Sequence, residues 1–579
     1  MVSFVFIALA SFFFAGGVLA SLARSIGLSL AAAAPVAAIA GVTVLFFGYR
    51  LSAGRDSDAG QDTGLWEKRL LAVTGYAVLL RLVYMGPLAL LHEEAYYWNY
   101  GQHLALAYFD HPPMVGWIIR AFTAILGDTE FAVRAGPFGC WLVAAYYIYR
   151  LTAAVLGKSI ARCAVMLMAV LPVYFGLGLI MIPDAPLVAC WAGALYYIYR
   201  TLIDERRWSW IGVGIFMGLA LLSKYTAGLL GLSVLFFIIF DRRARKWLKR
   251  PEAYLALGIA VVLFSPVIWW NAQHDWASFR FQSAGRLADH FDFDLPDLIG
   301  SILILLTPTG LLTFGAVLRA RSALTTGNGT GTARDQDRQR AFWLLMTLTV
   351  VPLAVFVGFS LIRNIKLHWT APIWLGAIPY MAAFIAPGKR RGGALLPGWP
   401  AKLWPATIVV VLLIYGAALQ YLTLGFPGVP YSAVLGVGMQ DLAGQIEAIV
   451  EEHEHVTGET PLVVCMDKDR LAGWIAFYRA KKVERAAPPR LKKKTLRVSG
   501  GHFFGKNSGM YRYWFSPQAQ KGKTLLLVAR RRGRLSDANI GSLALRLGRV
   551  RNLTVHKNGK AAGRFYYRFL YGYRPKPPT

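Results

Sequence analysis

Apolar residues in this chain come in long runs rather than at helical or strand spacing. A bilayer-spanning helix needs about 20 consecutive apolar residues, because lipid leaves no partner for an unpaired backbone group. Such runs lie near 3–22, 27–49, 70–91, 131–153, 160–181, 185–203, 208–222, 225–240, 254–270, 297–318, 341–362, 369–387 and 403–423. The pattern predicts about 13 transmembrane helices, the pair within 208–240 being short. The first run lacks a basic leader and is followed at once by a second, so it reads as a span rather than a signal peptide.

Lys and Arg then orient the stack. The connections Arg50–Arg69, Asp204–Arg207, Asp241–Arg250, Arg319–Arg340 and Lys389–Arg391 are basic. The positive-inside rule places them in the cytoplasm. The segments 92–112, around Pro183–Pro186, around Lys224, 271–296 and 363–368 are then external, and so is everything beyond about residue 424. That tail has short β-type apolar runs at Pro461–Cys465 and Thr524–Ala529 and a helix signal at Asp441–Glu452, which predicts a small α+β domain. Three segments result: 1–69, two extra N-terminal spans and a cytoplasmic linker; 70–423, a transmembrane core; and 424–579, a basic soluble domain.

Composition agrees. Of 579 residues, 56% are apolar and 16% charged, against roughly 25% charged in soluble domains. This excludes a cytosolic enzyme and a disordered chain. Net charge is +31; residues 441–579 hold 28 Lys+Arg against 10 Asp+Glu, or +18 of it. A basic external domain beside a membrane suits anionic lipid head groups, with a solvated basic surface as the plain alternative; nucleic acid is not an expected partner there. Four scattered cysteines make neither a disulfide framework nor a zinc site.

The external segments carry the candidate chemistry. The first reads His92-Glu93-Glu94-Ala95-Tyr96-Tyr97-Trp98, then Tyr108-Phe109-Asp110-His111-Pro112-Pro113. It brings three carboxylates and two histidines among aromatics just outside a span, with a helix predicted over 93–106. Carboxylates partly desolvated at a bilayer surface gain basicity. Asp184, between Pro183 and Pro186, is a second acid or a helix cap. Lys224 sits between two apolar runs, either functional or snorkelling to an interface. Asn271-Ala272-Gln273-His274 and Arg363-Asn364-Ile365-Lys366-Leu367-His368 complete the set. Arg81, inside the third span, is expected to pair with an acid or reach an interface.

These motifs, in this order, resemble bacterial glycosyltransferases of families 39 and 83, GT-C enzymes related to protein O-mannosyltransferases and to the aminoarabinose transferase of lipid A. The resemblance covers roughly 70–423, with a weaker echo in Ala476-Phe477-Tyr478 and Tyr511-Arg512-Tyr513-Trp514. It implies a polytopic α-helical membrane protein of the GT-C fold with a C-terminal periplasmic α+β domain, in a bacterial inner membrane. It implies a polyprenyl-phosphate sugar donor and a glycolipid acceptor such as lipid A, a protein hydroxyl being the second choice. Glu93 and Asp184 are then the catalytic acids. Glu94, Tyr97, His111, Lys224, Arg363, Lys366 and His368 serve donor phosphate and substrate. The family pair is Asp-Glu where this chain has Glu93-Glu94. The aminoarabinose transferases read Tyr-Phe-Glu-Lys-Pro where this chain has Tyr108-Phe109-Asp110-His111-Pro112, so Asp110 and His111 are candidate ligands of a divalent metal ion. A transporter or flippase of lipid-linked sugars is the alternative; it would be expected to show internal repeats and midplane polar residues, and the chain shows no repeat. A non-catalytic scaffold would not need acids and cations grouped on one face.

Overall fold

The computed structural model describes residues 2–53, 62–285, 293–325, 333–386, 390–391, 394–395, 398–431, 436–484 and 497–576. Parts of the basic connections read as cytoplasmic, Lys389 among them, lie outside these. The described chain forms two compact units: one from Met1–Tyr84 and Pro137–Ala418, the other from Met85–Gly136 and Leu419–Thr579. The short segment 85–136 thus folds with the tail, a grouping no run of residues announces.

Among the described residues, seven helices are long and apolar enough to span a membrane: Phe4–Ile26, Leu30–Ser52, Glu130–Leu156, Pro251–Gln273, Leu295–Arg319, Asp335–Ser360 and Trp399–Thr423. Three shorter apolar helices join them, Met114–Leu126 of the second unit and Ser209–Ser223 and Tyr225–Phe240 of the first. The chain is a multi-pass membrane protein. Large apolar side chains point outward from these helices, Ile39, Val42, Val262 and Ile304 among them, as lipid contact requires.

Of the remaining predicted runs, those at 70–91 and 185–203 correspond to the single helices Asp62–Met85 and Asp184–Leu202, whereas the other two are helical but broken, each with proline at the break. The run at 160–181 is split into Lys158–Val170 and Pro172–Leu177. Leu171, forced by Pro172 out of the helical region, takes φ −59° and ψ 133°. Pro172 has no N–H to return to Met168, so the carbonyls before the break need other donors. Trp141 Nε1 donates to Met168 O at 2.7 Å, Arg81 Nη2 to Ala169 O at 2.7 Å, and Tyr415 OH to Val170 O at 2.7 Å. This corrects the expectation for Arg81. Among the described residues its guanidinium pairs with no acid; it lies 4.2 Å from the Trp141 ring and 4.8 Å from the Phe175 ring and holds a broken helix together. Likewise the run at 369–387 becomes the 3-10 segment Leu367–Gly376 and the short helix Ile378–Ala383, each with a proline. Thr307, before Pro308, has φ 66° inside Leu295–Arg319, a strained position for a β-branched residue.

The second unit contains the acidic helix His92–Gln102, the helix Met114–Leu126 that starts directly after Pro113, and the tail. The tail's helix signal becomes Met439–Thr457. Its strands, numbered within the tail sheet, are β1 Leu462–Cys465, β2 Val498–Gly500, β3 Leu525–Ala529, β4 Arg546–Leu547, β5 Arg551–Lys557 and β6 Lys560–Tyr571. Their order is β2-β1-β3-β6-β4, with β5 also paired to β6. β1 runs parallel to β2 and β3, and β6 antiparallel to its neighbours. β1 and β3 are buried at every position, so they are central strands covered on both faces, as their unbroken apolar runs allow.

Candidate active site

Each unit holds one group of the residues singled out from the sequence. In the second unit the helix His92–Gln102 begins with an N-terminal box. Leu91 N–H donates to Glu94 Oε2 at 2.9 Å, meeting one of the amides that a helix start leaves open. The same carboxylate takes a two-pronged contact from Arg134, Nε to Oε1 at 3.1 Å and Nη2 to Oε2 at 2.7 Å. Both side chains are fully buried. Arg134 also donates to the carbonyls of Met85 at 3.0 Å, Ala89 at 2.9 Å, and Leu88. Glu94 is therefore committed to holding the start of this helix, which differs from the substrate contact expected of it.

Glu93 is the opposite case. Its side chain is 33% exposed, with His92 Nε2 3.8 Å from Oε1. Adjacent glutamates, identical in composition, thus divide into a buried anchor and an accessible carboxylate.

The helix is seated on the tail. Trp474 Nε1 donates to Leu90 O at 2.7 Å and Tyr478 OH accepts from Leu90 N–H at 3.0 Å. Gly473 sits so close that a Cβ there would lie 2.8 Å from Tyr96 N, so only glycine permits the approach. Trp98 meets Phe477 edge-on and donates Nε1–H to Asp128 at 2.8 Å. The tail's two sequence echoes are this seat: Phe477 and Tyr478 from one, and from the other Tyr511 against Tyr96, Trp514 stacked on His103 at 4.4 Å, and Arg512 over Phe109 at 4.0 Å.

Asp110 lies beside the same helix. Its Oδ1 accepts from Tyr100 OH and, at 3.4 Å, from Tyr96 OH, while Tyr96 OH accepts from Met510 N–H at 2.9 Å. Burial, reinforced by the Asp110 charge, raises the Tyr100 phenol well above its ordinary value, so it stays a donor. His111 meets the buried Tyr97 edge-on at 5.7 Å. Among the described residues no three His, Cys, Asp or Glu gather to hold a metal ion. Asp110 and His111 are two side chains, one already accepting from phenols, and do not by themselves make a cation site.

In the first unit, Asp184 opens the helix Asp184–Leu202 and is 1% exposed. Lys224 stands at the break between Ser209–Ser223 and Tyr225–Ala227, in extended conformation with φ −161°. Its Nζ donates to both oxygens of Asp184, at 2.8 and 2.9 Å. His368 Nε2 lies 3.4 Å from Asp184 Oδ2, and the Lys224 ammonium lies 5.6 Å from the Trp369 ring centre. Asp184, Lys224 and His368, from three separate motifs, thus converge on one carboxylate.

The chain just before His368 is held by a residue that sequence reasoning missed. Asp294, 2% exposed, accepts from Ile365 N–H at 2.6 Å and Asn364 Nδ2 at 2.9 Å. Its signal was an acid immediately before Leu295-Pro296 at a helix start. On either side of these contacts, Arg363 is half-buried and Lys366 exposed. Asn271 caps a turn, accepting from Ser278 and Phe279 N–H at 3.1 and 3.3 Å, and His274 stacks on Trp270. The Asn271–His274 motif is thus architectural.

Residues 110–270 match the family described as dolichyl-phosphate-mannose-protein mannosyltransferase. A lipid A galacturonosyltransferase, RgtD, of Rhizobium johnstonii is 28% identical over 187 residues, 32% of this chain and 38% of the relative. An undecaprenyl phosphate-alpha-4-amino-4-deoxy-L-arabinose arabinosyl transferase of Proteus mirabilis is 26% identical over 177 residues, 30% of this chain and 31% of the relative. The chain therefore spans about a third of the length of these curated relatives. The crystal structure of ArnT from Cupriavidus metallidurans superposes with a TM-score of 0.55 at 13% identity, covering 88% of this chain and 98% of that one. The same protein bound to undecaprenyl phosphate gives 0.55 at 14% identity, covering 87% and 98%. The resemblance carried by the loop motifs is borne out: residues 110–270 carry the protein-mannosyltransferase match, and the chain has the GT-C fold of ArnT.

Proposed function

We propose that this protein is a glycosyltransferase that moves a sugar from a polyprenyl-phosphate donor to lipid A or a related envelope glycolipid. The observation that carries the reading is the buried Asp184–Lys224–His368 cluster in a chain folded like ArnT and matched over 110–270 by the mannosyltransferase family. Two partial relatives are named as transferases to lipid A or from an undecaprenyl-phosphate sugar, which supports this donor and acceptor. The basic-loop asymmetry supports a periplasmic face for the chemistry and the tail, in a bacterial inner membrane.

The chemistry asked of the side chains is modest. A sugar phosphate already carries a good leaving group. The acceptor hydroxyl gives its proton to Glu93, the exposed carboxylate of the pair. The acceptor oxygen forms its bond to the anomeric carbon as the carbon–oxygen bond to phosphate breaks, inverting the centre. The electron pair leaves on polyprenyl phosphate, whose charge is met by Lys224, with Arg363 and Lys366 as further cations. Asp184 holds the Lys224 ammonium in place, and His368 stays beside the carboxylate when the ammonium turns to phosphate. Glu94 acts through Glu93, as a positioning residue.

The test is mass spectrometry of envelope lipids from cells with the gene, without it, and with Glu93→Gln in its place. A sugar-sized mass present on lipid A only with the active gene is the expected result. Unchanged glycolipids in all three strains, with sugar missing from envelope proteins instead, would move the acceptor to a protein hydroxyl. Proton NMR of the purified product reads the anomeric configuration, and retention would refute the single displacement.

A further inference from the structure

The tail sheet contains a feature that sugar transfer does not require. β1 lies between two parallel neighbours, β2 and β3. From the carboxyl end of β1 the chain leaves through the helix Lys468–Glu484 toward β2. From the carboxyl end of β3 it leaves the other way, toward β4 and β6. Adjacent parallel strands whose exits diverge open a crevice at their carboxyl ends, where open α/β sheets bind ligands.

Three separate segments meet at this edge, and two of them bring cations. After β1 come Met466 and Asp467, after β3 the run Arg530-Arg531-Arg532 and then Arg534, and after β2 the turn carrying Lys506. Arg534 Nη1 donates to Met466 O at 2.8 Å and Lys506 Nζ donates to the same carbonyl at 3.3 Å. Arg534 Nη1 also lies 3.3 Å from Asp467 Oδ1, and Asp467 Oδ2 accepts from Arg530 N–H at 2.6 Å. Arg530, Arg531 and Arg532 are exposed. Two cations on one carbonyl use few of the donors that an arginine and a lysine carry. Burial and the neighbouring Arg534 pull the Lys506 ammonium below its ordinary value, with Asp467 opposing.

We propose that this crevice is an anion site of its own, taking a phosphate monoester between Lys506 and Arg534 with the Arg530–Arg532 run at its rim. A doubly charged tetrahedral anion suits the arginine fork together with a lysine point charge. The site is independent of the donor-phosphate role assigned to Lys224. Its source is either a phosphorylated lipid head group or free phosphate.

Full-length protein in neutral detergent would be titrated with inorganic phosphate, with phosphorylated lipid A in mixed micelles, and with the same lipid stripped of phosphate. Lys506→Ala/Arg534→Ala is compared with Arg549→Ala/Arg551→Ala, which removes equal charge from exposed positions of the same domain. Affinity for the phosphorylated ligand should fall about tenfold or more in the first variant, one charge-assisted hydrogen bond being worth that much, and less than about twofold in the second. Lys506→Gln, which leaves the Arg534 contacts in place, should lose part of the affinity and serves if the double variant unfolds. Lipid A binding well above inorganic phosphate assigns the site to a head group; equal binding assigns it to free phosphate. Equal loss in both double variants overturns the site in favour of diffuse charge. Loss in Lys224→Ala alone overturns it and leaves the donor reading standing.

Discussion

Replacing Lys224 by methionine strips the ammonium from a carboxylate that is 1% exposed, where two hydrogen bonds of 2.8 and 2.9 Å now hold it. Breaking one side of a buried pair costs about 3–5 kcal/mol, because the partner charge is left without compensation. His368, 3.4 Å away and 25% exposed, recovers a part of this when protonated. Lys224→Met and Asp184→Asn should each lower the thermal midpoint of the detergent-purified protein, on the order of 5 °C for a unit of this size. The double variant Asp184→Asn/Lys224→Met removes both charges and should regain most of that stability. Turnover separates structure from chemistry. If Lys224 meets the charge of the departing phosphate, the double variant stays inactive although it is stable, and its apparent affinity for a polyprenyl-phosphate sugar is reduced. Recovery of activity along with stability would show the pair to be a helix anchor and would shift the phosphate role to Arg363, Lys366 or His111.

Other outcomes follow from the same geometry. Glu93→Gln should reduce transfer by about 10²–10⁴ with donor binding intact; more than a tenth of wild-type turnover would pass the role of base to Asp184. Glu94→Gln should act differently, through loss of the fully buried Arg134 pair, lowering stability by about 3–5 kcal/mol; an unchanged melting midpoint would refute the anchoring role. Cysteine placed at Ser536 should react with a membrane-impermeant thiol reagent in intact spheroplasts, and cysteine at Arg207 should not; the reverse pattern inverts the orientation. Burial lowers the ionisation of His103 and His502 below the ordinary histidine value. Their neutral forms belong to the folded state, so their contribution is complete above about pH 6.5 and is lost on acidification below it. Unfolding of the tail should become easier as the pH falls below about 6.5, and less so in His502→Phe; a midpoint that stays flat on acidification would refute the assignment.

What the sequence disclosed and what it withheld divide along the range of the interactions. A span is written in twenty neighbouring residues, so each apolar run became helix, and Pro172 and Pro372 explain why two of them are broken. The tail strands were legible for the same reason, although their burial on both faces depends on which strands became central. Partner choice is not local. Nothing near Glu94 distinguishes it from Glu93; the distinction comes from Arg134, forty residues on, inside a run read as a span. An arginine in such a run has to find an acid or carbonyls, and that requirement was the available signal. Applied to Arg81 it suggested an acid, where the break at Pro172 offered carbonyls instead. Asp184, Lys224 and His368 were each conspicuous as ionisable residues beside apolar runs, yet their convergence on one carboxylate is a property of the fold. The same holds for the tail crevice. Lys506 and Arg534 look like ordinary members of a basic domain until the divergent exits of β1 and β3 bring them to one carbonyl. Net charge announced that anions matter to this domain, and only the strand order says where one would bind.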